Sequence, residues 1–521
     1  MKTKFRKYKP QGLPSNLIPL IVMSRRFINS LIATSLLAPL AMPLSLLAGN
    51  VPPTYELLNG TEFRDLNCPS RSHGQHKRTS LSDDLEPPSA EEIDELGLII
   101  SGIKRLNSNR SLDNPSLLGI NELSWPSRVA IWGDSHLAAG FFSNELKRIS
   151  LERGIKAKST FIPMTMGRAG VNLPIRKYCM DHWKSDITYS SISSMVNTGI
   201  GMNFVTGDKD AYLWIDLREK EAEPDVQSIE IFFQGSTNQG VIIVSIDGGE
   251  EKAIPLVSNS SFGSVVIVGN VPISVIKIRV VQEPVILNGI YLNFKEKPKA
   301  VIDAFGISGA TVRSWQKIDP TYFKQFFLGR PYDLVVLEYG TNEGNSLPFD
   351  ADHYSKILDE SLRNMRQVFP EAGCLLVGPG DRGVLLSKSR RVSTKHKDHS
   401  VKLVARNASR RSNKISTKAE IRKASHKVVD LLKFALVHEK IYQLQKQIGE
   451  RFGCLTWSMQ YAMGGVGSSY SWVFANPPLM SRDLTHLTVL GYKQLARQLT
   501  EDLNWWDASK IVKPVIETNS P

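Results

Sequence analysis

Five short apolar runs, far apart in the chain, constrain its fold more than any other feature. They lie at 129–132, 301–305, 334–339, 374–378 and 453–457. Segments with apolar residues at helical spacing separate or follow them, at 137–153, 354–368, 424–451 and from 489 to about 505. Strands alternating with helices predict an α/β domain, a three-layer, doubly wound parallel sheet. Three of the runs pass directly into glycine-containing turns, at Gly133, Gly306 and Gly340. Open α/β sheets keep their ligand sites there, at the carboxyl ends of the strands.

Between 205 and 296 the texture changes. Short segments rich in valine, isoleucine and aromatics alternate with turn signals such as Gln234-Gly235-Ser236-Thr237-Asn238 and Asp247-Gly248-Gly249. That spacing predicts an all-β sandwich or jelly roll. It cannot supply the helical crossovers of a parallel sheet, so it reads as an insertion. The α/β domain is then split into 125–204 and 297–510. Residues 50–124 read as a linker and N-terminal extension, with 50–90 rich in serine, proline, asparagine and charge.

Residues 1–49 read as a signal peptide or a membrane anchor. Arg25 and Arg26 precede an uncharged apolar stretch that ends in small residues at Ala48-Gly49. The stretch is also near the length that spans a bilayer. An exported chain is expected in the periplasm or cell envelope, free or held at the inner membrane by this segment.

The net charge of +13 suggests nucleic acid until it is located. Residues 1–26 hold seven Lys and Arg and no acid, and 383–427 hold fourteen against Asp398 and Glu420. The rest of the 521-residue chain is mildly acidic. A basic leader and a basic insertion explain the charge without a nucleic-acid face. The insertion is either a solvated loop or a contact for anionic envelope polymers. Four cysteines are too few for a disulfide scaffold. Cys374 and Cys454 lie on two predicted strands. If these are neighbours the pair is close enough to bond, and two buried thiols are the alternative.

The chemistry-bearing residues sit in the turns. Gly133-Asp134-Ser135-His136 follows the first run and offers a serine hydroxyl at a strand end. Such a hydroxyl attacks well only when a base takes its proton. Asp483-Leu484-Thr485-His486 supplies the base, His486, and a carboxylate, Asp483, three residues earlier. On a helical turn that spacing places both side chains on one side. Acyl transfer also needs donors for a tetrahedral oxyanion. Candidates are the N–H of Ser135, the N–H of Gly309 in Gly306-Ile307-Ser308-Gly309, and the side-chain amide of Asn342 in Gly340-Thr341-Asn342-Glu343.

These motifs resemble blocks I, II, III and V of the SGNH (GDSL) hydrolase superfamily. Trp132-Gly133-Asp134-Ser135-His136, Glu338-Tyr339-Gly340-Thr341-Asn342-Glu343, Met463-Gly464-Gly465-Val466-Gly467-Ser468 and Asp483-Leu484-Thr485-His486-Leu487-Thr488 are similar to those of periplasmic peptidoglycan O-acetylesterases. Those enzymes carry a carbohydrate-binding-module-like β-sandwich between blocks I and II. The resemblance spans about 125–505. It implies Ser135 as nucleophile, His486 and Asp483 as triad partners, and Ser135, Gly309 and Asn342 as the oxyanion hole. It implies removal of O-acetyl groups from N-acetylmuramyl residues, with no metal and no organic cofactor. One departure is Gly378-Pro379-Gly380-Asp381, where the family reads Gly-Pro-Pro-Asp. The rivals are an acetyltransferase or another polysaccharide esterase on the same fold, and a non-catalytic glycan-binding protein.

Overall fold

The computed structural model describes residues 52–60, 85–87, 127–193, 195–218, 224–235, 240–387, 418–503 and 505, with the side chains of 418–430 left aside. Residues 1–49, most of 50–124 and most of the basic stretch 383–427 lie outside the described residues. The readings of a signal or anchor and of a basic contact segment fall there. Among the described residues no helix is long and apolar enough to cross a membrane.

The strands of the parallel sheet are β1 (Arg128–Gly133), β2 (Ala157–Lys158), β3 (Ala300–Gly306), β4 (Leu334–Glu338), β5 (Gly373–Gly378) and β6 (Cys454–Ser458). Their spatial order is β6-β5-β4-β1-β3-β2, and every pairing is parallel. The two-residue strand β2 was not expected, being too short to carry a period. Side chains alternate between faces along each strand, so the sheet builds two cores. Val129, Ile131, Val336 and Val377 pack on one face. Ala130, Trp132, Val335 and Leu376 pack on the other.

Five helices matter to the site: α1 (Ser135–Ala138), α2 (Phe141–Glu152), α3 (Ala351–Val368), α4 (Lys418–Arg451) and α5 (Val489–Asp502). The single helix expected over 137–153 is broken in two. Gly140 takes a left-handed φ of 75° between α1 and α2. Leu146 and Ile149 of α2 join Leu495 and Leu499 of α5 over the first face. Leu358, Leu362 and Met365 of α3 cover the second. From β1 the chain moves to β2 and β3 on one side, then to β4, β5 and β6 on the other. The topological switch therefore falls at the carboxyl end of β1, where such folds open a crevice.

Cys374 and Cys454 pair in register on β5 and β6 and form a disulfide, with Cα atoms 4.5 Å apart. Cys179 is disulfide-bonded as well.

The second sheet is all-β and reaches beyond 205–296. Eight strands form its path, in the order Thr54–Leu57, Phe262–Ile273, Val226–Gln234, Val285–Phe294, Asn203–Asp216, Val275–Gln282, Gly240–Ile246 and Lys252–Leu256. Lys177–Ile187 and Phe161–Ile162 pair onto it from the side. Residues from all eight path strands, such as Leu57, Leu213, Ile229, Ile242, Ile254, Val265, Ile276 and Ile290, meet in one apolar cluster. The sheet thus folds back on itself round a single core. It packs on the second face of the parallel sheet through Phe161 and Phe232. Arg330 reinforces that seam, bonding Glu230 at 2.7 Å and stacking 4.2 Å from the Tyr291 ring.

Candidate active site

The site starts from Trp132, which is wholly buried and donates its ring N–H to Ile200 O at 3.0 Å. This anchor fixes the end of β1. Gly133 follows, and a Cβ there would fall 2.5 Å from Glu338 Oε2, so the turn has no room for one. Asp134 then caps α1, accepting from the His136 N–H at 2.8 Å. Ser135 opens the helix with its hydroxyl at the switch point.

The sequence brings His486 to that hydroxyl over 351 residues: Nε2 lies 2.9 Å from Ser135 Oγ. On the other side of the ring, Nδ1 lies 2.8 Å from Asp483 Oδ2. Asp483 Oδ1 also accepts from the N–H groups of Thr485 and His486, each at 2.9 Å. Asp483 and His486 do not share a helical turn, as the spacing had suggested. They flank a tight turn in which Leu484 has φ of 55°, and α5 begins only at Val489. The buried Leu484 side chain holds that unfavourable conformation in the core.

Electrostatics agree with the geometry. Burial raises the Asp483 pKa, but the hydrogen bonds from the His486 ring and from two backbone N–H groups more than offset it, leaving the carboxyl below its usual range. The Asp483 hydrogen bond raises the His486 pKa above its usual value. The His486 side chain is 43 % exposed, so solvent reaches it. His136 packs beside it, with ring centroids 5.5 Å apart. Burial drives the His136 pKa down to about 3, so that ring stays neutral, with Nδ1 3.2 Å from Tyr492 Oη.

Asn342 begins the turn after β4. Its amide donates to Ala310 O at 2.9 Å and to Asp134 Oδ2 at 3.3 Å, which ties the loop after β3 to the Ser135 turn. Gly309 lies in that loop with φ of 82°. A side chain there would be strained, and its Cβ would sit 3.2 Å from the Tyr189 hydroxyl. Every residue singled out from the motifs therefore lies on adjoining turns at one end of the sheet.

Sequence reasoning gave no role to Glu338, which lies behind them. Glu338 sits inside an apolar run yet accepts from the Asp134 N–H at 3.2 Å. Burial raises the pKa of both Asp134 and Glu338. Glu343 accepts from the Val312 N–H at 2.8 Å, and burial lifts its pKa to about 7. Asp381 accepts from Ser469 N–H, Gln460 Nε2 and Gly467 N–H at 2.7, 2.8 and 3.2 Å, so the 464–469 loop is held from below. Among the described residues no cluster of His, Cys, Asp and Glu is arranged to hold a metal.

No family model matches the chain, and no curated protein matches it. Solved structures do. A peptidoglycan O-acetylesterase is 18 % identical, over 75 % of this chain and 95 % of its own, at a TM-score of 0.49. A family two carbohydrate esterase from Cellvibrio japonicus is 11 % identical, over 62 % of this chain and 98 % of its own, at 0.22. CBM35 from Paenibacillus barcinonensis is 10 % identical, over 26 % of this chain and 98 % of its own, at 0.18.

Proposed function

We propose that the chain is an exported serine esterase that removes O-acetyl groups from a cell-envelope glycan, with N-acetylmuramyl residues of peptidoglycan as the first choice. The observation that carries this reading is the unbroken hydrogen-bonded row from Asp483 through His486 to Ser135 at the switch point of the sheet. The motif resemblance supports the substrate, and the basic apolar leader supports export.

In the proposed cycle Ser135 Oγ attacks the acetyl carbonyl carbon while His486 Nε2 takes its proton. The oxyanion accepts from the N–H groups of Ser135 and Gly309 and from the Asn342 amide. The 3.3 Å contact from Asn342 to Asp134 is the weaker of its two, so it is the one an oxyanion would replace. The sugar oxygen leaves with the proton from His486. Water then attacks the acetyl-enzyme, gives its proton to His486, and acetate departs as Ser135 Oγ is reprotonated. Asp483 stays ionised and holds the ring tautomer throughout.

Acetate release from O-acetylated peptidoglycan and from a small aryl acetate tests this. Wild type should release acetate from both. Ser135→Ala should lower kcat by roughly a million-fold, to the level left by binding and oxyanion donors alone. Release that survives Ser135→Ala would sink the reading. Turnover of the aryl ester alone would keep the esterase and move the substrate to another envelope polysaccharide.

A further inference from the structure

Arg382 stands at the edge of this site with no hydrogen-bond partner for its Nη1 among the described residues. It follows β5 on a backbone pinned on both sides. Asp381 is held by the three donors described above, and the Gly383 N–H donates to Leu484 O at 3.0 Å. Val384 N–H donates to Tyr470 Oη at 2.8 Å. Arg382 is therefore fastened against the Asp483–His486 turn. Its guanidinium lies over the Phe434 ring at 4.3 Å, a stack that fixes its plane and leaves its edge free.

Nη1 is buried and has no hydrogen-bond partner, and the guanidinium makes no ion pair with any described residue. The nearby acid, Asp483, spends its oxygens on the His486 ring and two backbone N–H groups. The positive charge is felt at both Asp483 and His486. A buried donor without a partner is unfavourable, so a ligand that satisfies it gains. A guanidinium offers a planar fork that matches a carboxylate at two points.

We propose that Arg382 reads a carboxylate on the glycan next to the ester, so that the site selects acidic glycans; this rests on the esterase reading above. The carboxylate is either that of a uronic acid ring or that of a lactyl ether. The single planar fork of a guanidinium suits such a monoanion.

Binding to the full chain carrying Ser135→Ala, measured by calorimetry, tests this without turnover. The probes are a glucuronate-bearing oligosaccharide and the N-acetylglucosamine–N-acetylmuramic acid disaccharide with its free lactyl carboxylate. Each is compared with its analogue in which the carboxylate is reduced to the alcohol. One acid should bind about tenfold or more tightly than its alcohol, and the probe that does so identifies the source. Adding Arg382→Gln should erase the difference, and Arg382→Lys should keep part of it. The idea is overturned if neither acid outbinds its alcohol, if nothing binds, or if the preference survives in Arg382→Gln. The acid–alcohol comparison on the native arginine stands even if the variants misfold. Serine-dependent acetate release from the aryl ester decides the esterase reading separately.

Discussion

Two sets of carboxylates occupy the same end of the parallel sheet and behave in opposite ways. Asp483 lies at the rim, partly exposed, with donors on both oxygens. Asp134, Glu338 and Glu343 lie behind the Ser135 hydroxyl, and Glu338 Oε1 and Glu343 Oε2 are buried without a hydrogen-bond partner among the described residues. At the rim, hydrogen bonds outweigh desolvation and the acid stays charged. In the floor, desolvation dominates and the acids are pushed toward the neutral form. What a carboxylate does here follows from the balance between its burial and the donors that face it. A base needs an ionised partner to orient and charge it; a tightly packed floor tolerates acids only as neutral hydrogen-bonding groups.

The sharpest way to break this comparison is the isosteric change Asp483→Asn. It keeps shape and removes charge. An amide cannot stabilise the imidazolium and favours the wrong ring tautomer, so kcat should fall by about ten-thousand-fold. The pH profile should move too. In the proposed cycle activity needs neutral His486, so the rate should rise with pH through a pKa held above the usual value by Asp483. In Asp483→Asn that limb should shift to lower pH. A kcat–pH series on both proteins checks it, and an unmoved limb would mean that Asp483 does not set the charge of the ring.

Much of this arrangement was legible in the sequence, because the strand ends carry both the glycine turns and the chemistry. Ser135, Asn342, Gly309, Asp483 and His486 announce themselves by motif. The turn at Leu484 did not, since nothing in a leucine predicts φ of 55°; burial of its side chain and the hydrogen bonds of its backbone to Ser481 and Gly383 hold it. Lys177–Ile187 was missed as a strand because it is largely exposed and carries almost no apolar period. Thr54–Leu57 was missed because it is too short to signal, and it forms only by pairing parallel to Phe262–Ile273 some two hundred residues on. Glu338 hides in an apolar run, and Arg382 adjoins the basic stretch that drew attention away from it. Each needed the neighbours that only the fold supplies.

Stability against pH gives the next largest effect. The Glu343 pKa rises from 4.5 to about 7 on burial. Between those values the folded chain holds a proton that the unfolded chain releases. The stability tied to this proton is complete below pH 4.5 and is lost as pH rises through about 7, a span worth roughly 3 kcal/mol. Glu343→Gln keeps the oxygen that accepts from Val312 and has no proton to lose. Relative to wild type it should gain stability between pH 5 and pH 8, read from urea midpoints at the two values. An equal difference at both would place an ionised Glu343 in the folded state at low pH already.

The smallest expected effect sharpens the comparison most, because it repeats the first experiment on the other side of the nucleophile. Glu338→Gln is the same exchange of carboxyl for amide as Asp483→Asn, made at the last residue of β4. Glu338 Oε2 accepts from the Asp134 N–H, which an amide oxygen does equally well. Its Oε1 has no partner, so an amide nitrogen there replaces a group that was carrying a proton. Burial, the charge of Asp134 and that of Glu343 all push the Glu338 pKa up. The substitution should therefore change kcat by less than about threefold and stability by less than about 1 kcal/mol. A fall of a hundredfold would show that the floor carries a working negative charge, and the division between a charged rim and a neutral floor would fail. Near silence would mean that one exchange is catastrophic at the rim and invisible beneath it, as desolvation in the floor requires.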